Sequence, residues 1–422
     1  MSVPLDRLYN YLHDIVNYNL LIYGWLPHGS TKLEDFHMLM DTITPEDWQS
    51  LRRKFSAAEF NTFAQRNGYA VMICHDQEPL NVDRYRIDDF KNQIKNNYLN
   101  FEKNFNLENL ACNDVVDYCA GLGLRGLALP TNHYDRTILL HSEKHSTHVA
   151  RYSQQGYVPV YYWSHGVIAL DWFRYAEHDP KLKFDPTKIQ QDFLIYNRAW
   201  SGTREYRLCF TEQLIQNHLY NNCRMSFNSW DSGYYGQHQF VNPEFQLTNF
   251  NLDNYFPANT HPSSVSADYC SDDYVGTGIE IVLETLFDDS RWHLTEKSLR
   301  PIACGKPFVL MATPGSLQYL RQYGFKTFDG LIDETYDTIK NSRQRLQAVI
   351  TEMKRISNLP VQQKTKLLSE LDSIARFNKH LFFTSFFDII VNEYKQNMDS
   401  AMIEMEQHCH GHNCAKITQL MQ

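Results

Sequence analysis

Apolar positions along this chain follow two periods, and the two alternate. Short runs rich in β-branched or aromatic residues, each bounded by turn formers, read as strands: Leu20 to Trp25, Tyr69 to Cys74, Thr137 to Leu140, Tyr157 to Trp163, Phe193 to Tyr196, Cys223 to Phe227, Ile279 to Leu283 and Lys306 to Ala312. Between them lie stretches of helical period. Leu5 to Leu21 reads as a helix or apolar cap, and Asp47 to Phe63 follows the start signal Thr44-Pro45-Glu46. Ser146 to Gln155 ends at Gly156, and Val167 to Tyr175 begins after Ser164-His165-Gly166 closes a strand. Thr203 caps a helix running to His218, Thr295 caps another, and Ser316 opens a third that Gly324 ends. Phe325 to Phe328 reads as a last short strand, and Asp333 to Asp337 as the acidic start of a helical stretch. From Thr338 to Met405 the pattern is almost wholly helical, broken near Pro360 and Thr384. Strand, loop and helix in repeated succession predict an α/β fold with parallel sheets.

At 422 residues the chain is too long for one ordinary core, so two doubly wound domains are expected. Glu177 to Ile189, charged and carrying His178-Asp179-Pro180 and Phe184-Asp185-Pro186, marks the boundary. The expected organisation is an N-terminal domain over 1–185, a second over 186–345, helices over 346–405 and a tail over 406–422. Asp83 to Glu108 reads as a polar surface excursion and Asp231 to Ser271 as a long irregular insertion.

In open parallel sheets ligands bind outside the carboxyl ends of the strands, so the residues there are the first candidates for chemistry. In the first half these are Asp76 and Glu78, Glu143, and His165. Asp76 reads either as the cap of a turn or as a functional carboxylate, and His165 either as a hydrogen-bonded loop residue or as an acid/base group. In the second half Arg198 and Arg204 fall at a strand end and a helix start, where arginine suits a bidentate grip on a diphosphate. Arg207 fits a solvated helix face. Thr295, Glu296 and Lys297 open the helix after Ile279 to Leu283, and Glu284 ends that strand. A cation at a helix start opposes the helix dipole unless it meets an anion, so Lys297 is expected beside a phosphate.

Two other motifs carry less. Gly121-Leu-Gly123-Leu-Arg-Gly126 spells a dinucleotide fingerprint, but Asp117 breaks the run before it and no acidic ribose partner follows, so it reads as a loop. His408, Cys409, His410, His412 and Cys414 crowd the tail without the spacing of recurrent zinc sites, so no metal is expected. Nine scattered cysteines favour reduced thiols and a cytoplasmic setting, and no apolar run is long enough for a membrane span. The net charge of −9 argues against broad adhesion to nucleic acid.

Glu284, Trp292, the run Thr295-Glu296-Lys297, Gly305 and Pro307 together resemble the donor-binding signature of GT-B glycosyltransferases of the fucosyltransferase type. The stretch onward through Thr313 to Arg321 also resembles a group of glycosyltransferase-like proteins common in tailed phages. The resemblance implies a GT-B fold, two Rossmann-like domains facing a central crevice, with terminal helices packing back across the seam. It implies inverting, metal-independent transfer from a nucleotide sugar with no further cofactor. Arg198, Arg204 and Lys297 would hold the leaving diphosphate, Glu284 or Glu296 would bind sugar or ribose hydroxyls, and Asp76 is the first candidate base, ahead of Glu78, Glu143 and His165. The sequence contains no Asp-x-Asp triplet, in keeping with that reading. The phage kinship implies a host-cytoplasmic enzyme whose acceptor is a hydroxymethylpyrimidine in DNA; the alternatives are a glycan acceptor and a non-catalytic nucleotide- or glycan-binding module.

Overall fold

The computed structural model of the chain describes residues 24–25, 37–38, 137–154, 157–197, 204–227, 245 and 269–410. These fall into two units: one holds Lys144–Ser146 and Ser164–Val391, and the other takes in the described residues up to Glu143, Thr147–Trp163 and the residues from Asn392 onward. The expected boundary over 177–189 lies inside the first of these, where three short 3-10 turns follow one another. The expected strand over 69–74, the helix over 47–63 and the excursion over 83–108 lie outside the described residues, as does almost all of the insertion over 231–271.

In the second unit β1 (Gly24–Trp25) pairs antiparallel with β2 (His37–Met38). β3 (Thr137–His141) and β4 (Tyr157–Tyr161) pair in parallel, Thr137 opposite Tyr157 and His141 opposite Tyr161, with α1 (His148–Gln154) as the crossover. This is the β-α-β unit the pattern predicts. His141 is buried, its ring 5.9 Å from that of Tyr152 and 6.0 Å from that of Tyr161.

The first unit is built on a four-stranded parallel sheet. α2 (Ser164–Trp172) precedes β5 (Gln191–Asn197), α3 (Tyr206–Gln216), β6 (Cys223–Phe227), α4 (Ser271–Val275), β7 (Thr277–Leu283), α5 (Glu296–Cys304), β8 (Phe308–Met311) and α6 (Ser316–Gln322). The strand order is β6-β5-β7-β8. Every residue of β7 and of β8 is buried, which is why these runs read as continuously apolar and not as alternating. Burying Ile279, Ile281, Val282 and Leu283 contributes roughly 1.5–3 kcal/mol each.

Glu280 is the exception inside β7. It has no exposed surface, and Arg300 of α5 meets its carboxylate at 2.5 Å while the Tyr274 hydroxyl donates to it at 2.5 Å. Arg300 also lies 4.4 Å over the Tyr196 ring, so one buried ion pair ties α5 to the middle of the sheet. The helix ends where the sequence indicates: Gly305 takes φ +67° and the Lys306 amide returns to the Pro301 carbonyl.

Three long helices follow: α7 (Ser342–Ser357), capped by Asn341, α8 (Val361–Thr384) and α9 (Phe386–His410). Their breaks fall at Pro360 and Ser385, close to the expected positions. α8 packs along α5, and Lys364 pairs with Asp192 at 2.7 Å. Among the described residues no helix is long and apolar enough to cross a membrane.

Several expectations need correction. Phe325 to Phe328 forms no strand; Phe325 and Phe328 bury their rings against Phe386 and Phe308 in extended chain without a partner strand. α2 begins at Ser164, so His165 stands in a helical first turn and not in a loop. Asp333 caps a 3-10 turn over Glu334–Thr338, and the α-helix waits for Asn341. α1 begins at His148, two residues past the expected start.

Burial lowers the His141 pKa from 6.5 to about 4, against a hydrogen bond to the Glu143 main chain that favours the charged form. The unfolded chain therefore takes up a proton between these values that the folded chain refuses. His141 costs no stability above pH 6.5, and stability falls as pH drops towards 4, by on the order of 3 kcal/mol for this group. Urea denaturation of wild type and His141→Leu at pH 7 and pH 4 checks this: the variant should lose that share of the pH dependence, and an unchanged difference would contradict it.

Candidate functional site

The strand order creates one special place in the sheet. From β5 the chain crosses to β6 on one side, and from β7 it crosses to β8 on the other. Right-handed crossovers running in opposite directions put α3 and α5 on opposite faces, so the carboxyl ends of β5 and β7 flank a topological switch point. Pairing between these two strands runs from Gln191↔Thr277 to Leu194↔Glu280 and stops short of the end of β5. The Arg207 guanidinium of α3 serves the carbonyls beyond, donating to Leu283 at 2.7 Å and Glu284 at 2.9 Å. Arg207 is thus buried against the end of β7, not spread on a solvated helix face as expected. Burial also lowers its pKa. The Tyr206 hydroxyl donates to the same Glu284 carbonyl at 2.6 Å, its ring stacked 4.3 Å from Phe287.

On the α5 side, Glu284 is the organising residue. It is fully buried, and its carboxylate accepts from the Thr295 amide at 3.0 Å, the Thr295 hydroxyl at 2.7 Å, the Ser298 amide at 3.2 Å and the Ser298 hydroxyl at 2.5 Å. The Thr285 amide adds a bond at 3.0 Å. Burial pushes this carboxyl up, but the Lys297 charge and the Ser298 and Thr295 bonds more than offset it, and its pKa lies below the ordinary value. The anion at the start of α5 is therefore the protein's own carboxylate. Thr295 is the N-cap, as the sequence indicates.

Lys297 also meets an anion in the chain itself: its Nζ lies 2.8 Å from Glu296 Oε1 and 3.1 Å from Thr295 Oγ1, with the side chain 16% exposed. Glu296 in turn faces His165, whose Nε2 is 3.6 Å from Oε2, and the Ser164 hydroxyl lies 3.4 Å from Nδ1. The His293 ring stands edge-on to His165 at 5.4 Å. A carboxylate shared between a lysine and a histidine is held in one orientation, so the group can offer a cation, an acceptor and a ring nitrogen in one place.

The approach to α5 is held by Trp292. Its main chain pairs with Lys144, its Nε1 donates to the Pro314 carbonyl at 2.7 Å, and its ring packs closely on Gly315. A Cβ on Gly315 would fall 2.5 Å from the indole, and the residue takes φ +85°, so only glycine suits the position.

Of the residues singled out from sequence, the structure gathers Glu284, Thr295, Glu296, Lys297 and His165 at the start of α5. It sets Arg204, also buried, at the start of α3. Glu143 belongs to the other unit, buried and accepting from Tyr152 at 3.3 Å. Asp76, Glu78 and Arg198 lie outside the described residues, as does the tail beyond His410. Sequence reasoning passed over Ser298, His293, Thr285 and Asn197. Asn197 is the last residue of β5, with no exposed surface, and neither its amide nitrogen nor its amide oxygen has a hydrogen-bond partner. The Thr285 hydroxyl, just past the end of β7, is buried and unpartnered in the same way. Only the strand order shows that both stand at the switch point. No family model, curated protein or solved structure matches the chain.

Removing the Glu284 carboxylate strands two helix amides and two hydroxyls in a buried place. Glu284→Ala should cost about 3 kcal/mol or more in unfolding free energy, read by chemical denaturation at pH 7. Stability close to wild type would show that α5 is held without this carboxylate.

Proposed function

We propose that the chain is a glycosyltransferase, moving a sugar from a nucleotide-sugar donor to an acceptor hydroxyl, with the donor diphosphate held outside the carboxyl ends of β5 and β7. The observation that carries this reading is the placement of a cation at the start of each helix flanking the switch point, Arg204 ahead of α3 and Lys297 in the first turn of α5. In this reading the acceptor oxygen attacks the anomeric carbon as the bond from that carbon to the diphosphate oxygen breaks. The electron pair leaves with the diphosphate. Arg204 and Lys297 stabilise the charge that grows there, in the manner of fixed donors aimed at a leaving group. Glu296, already turned between Lys297 and His165, accepts from ribose or sugar hydroxyls. The acceptor proton passes to a base.

The resemblance to phage proteins puts a hydroxymethylpyrimidine in DNA first among acceptors, presented by flipping the base out of the stack. A glycan hydroxyl is the rival. The test offers the purified protein each common nucleotide sugar with plain DNA, hydroxymethylpyrimidine DNA and simple saccharides, following free nucleotide and acceptor mass together. Mass gain on one acceptor class supports the reading and identifies that class; binding without transfer contradicts it. With the active pair in hand, Lys297→Ala should lower turnover by about 100-fold or more in protein still folded at the assay temperature, with a lowered thermal midpoint because the same charge stabilises the Glu284 carboxylate. Full turnover in that variant would remove Lys297 from the donor site.

A further inference from the structure

The structure assigns a second set of ligand contacts at the switch point: we infer that the Asn197 amide and the Thr285 hydroxyl bind sugar hydroxyls adjoining the donor diphosphate. The inference rests on the donor reading and adds to it the groups that recognise a polyol. Asn197 ends β5 and Thr285 follows β7 by two residues, so both stand at the carboxyl ends of the strands that flank the crevice. Both are buried, at 0% and 2% exposure, and the amide nitrogen, the amide oxygen and the hydroxyl oxygen are each without a hydrogen-bond partner. Buried polar atoms are almost always bonded, and leaving them unbonded costs stability. Their retention at a ligand crevice is accounted for by a ligand that completes them.

The side of the sheet narrows the choice. Leu194 pairs with Glu280, whose side chain meets Arg300 of α5, while Phe193 pairs with Ile279 on the other face. Alternation along β5 places Asn197 with Phe193 and Ile195, on the face away from α5. That is the α3 face, to which Arg204 leads. A diphosphate spanning the two helix starts therefore carries one of its neighbours past Asn197, and both neighbours of the diphosphate in a nucleotide sugar are polyols. A carboxamide offers an NH2 that donates beside an oxygen that accepts, which vicinal hydroxyls can engage together, and the threonine hydroxyl adds a further contact.

The test is calorimetric titration and thermal denaturation of wild type, Asn197→Leu and Thr285→Val, with nucleoside diphosphate sugars and the matching free nucleoside diphosphates. Both substitutions keep the number and branching of side-chain heavy atoms and remove only unbonded polar atoms. The expected result is an unchanged or raised thermal midpoint together with a Kd raised ten-fold or more. Weakening of the free nucleoside diphosphate as well would assign the contacts to ribose, and weakening of the sugar-bearing donor alone to the transferred sugar; both outcomes support the inference. Unchanged affinity in both variants overturns it and leaves the donor reading standing. A clearly lowered midpoint in Asn197→Leu overturns it too, since the amide would then have a structural partner. Failure of the wild type to bind any nucleotide sugar removes the donor reading and this inference with it.

Discussion

The first unit depends on one buried carboxylate. Glu284 directly follows the inner strand β7 and is bound by two amides and two hydroxyls from the start of α5, so strand end and helix start are fixed to each other. The helix dipole and the Lys297 charge stabilise it as an anion in a place where an unpartnered carboxylate would be intolerable. Glu284 takes the Thr295 and Ser298 amides and Thr295 takes that of Lys297, so a ligand at the start of α5 is met chiefly by side chains. That is why Lys297, Glu296, Arg204 and Asn197 carry the functional argument, and not the bare helix terminus.

The second constraint is the sheet order. With β5 and β7 adjacent and their crossovers running apart, the carboxyl ends of these strands flank the switch point, and Arg207 serves the carbonyls of Leu283 and Glu284 there. The Glu280–Arg300 pair locks α5 to the middle of the same strand, and α8 lies along its outer side. The start of α5 is thereby held at both ends by buried contacts, which is the support a site needs to keep its side chains in fixed geometry.

Much of this was legible in the residues. The apolar runs at 193–196 and 279–283 became inner strands because burial asks for little more than apolar content, the run at 223–227 became the half-buried edge strand β6, and Thr295 capped its helix through its own hydroxyl. Breaks near Pro360 and Thr384 followed from local backbone chemistry. Where the reading failed, a partner distant in sequence decided. Arg207 looked like a surface residue because its charge says nothing of carbonyls contributed from β7, about 76 residues away. For Lys297, read from sequence as a phosphate partner, the structure adds Glu296, the residue before it, as a counter-ion within the chain. Phe325 to Phe328 had the apolar content of a strand and no strand to pair with. Asn197 and Thr285 gave no signal at all until strand order placed them at the carboxyl ends of the two strands that flank the switch point.

The proposed transfer depends on where a donor diphosphate sits. The most direct measurement is a crystal structure of the protein with a nucleoside diphosphate bound. The account requires the diphosphate outside the carboxyl ends of β5 and β7, with Arg204 on one side and Lys297 on the other. A diphosphate bound elsewhere on the chain, with these two side chains left as they are, would contradict it.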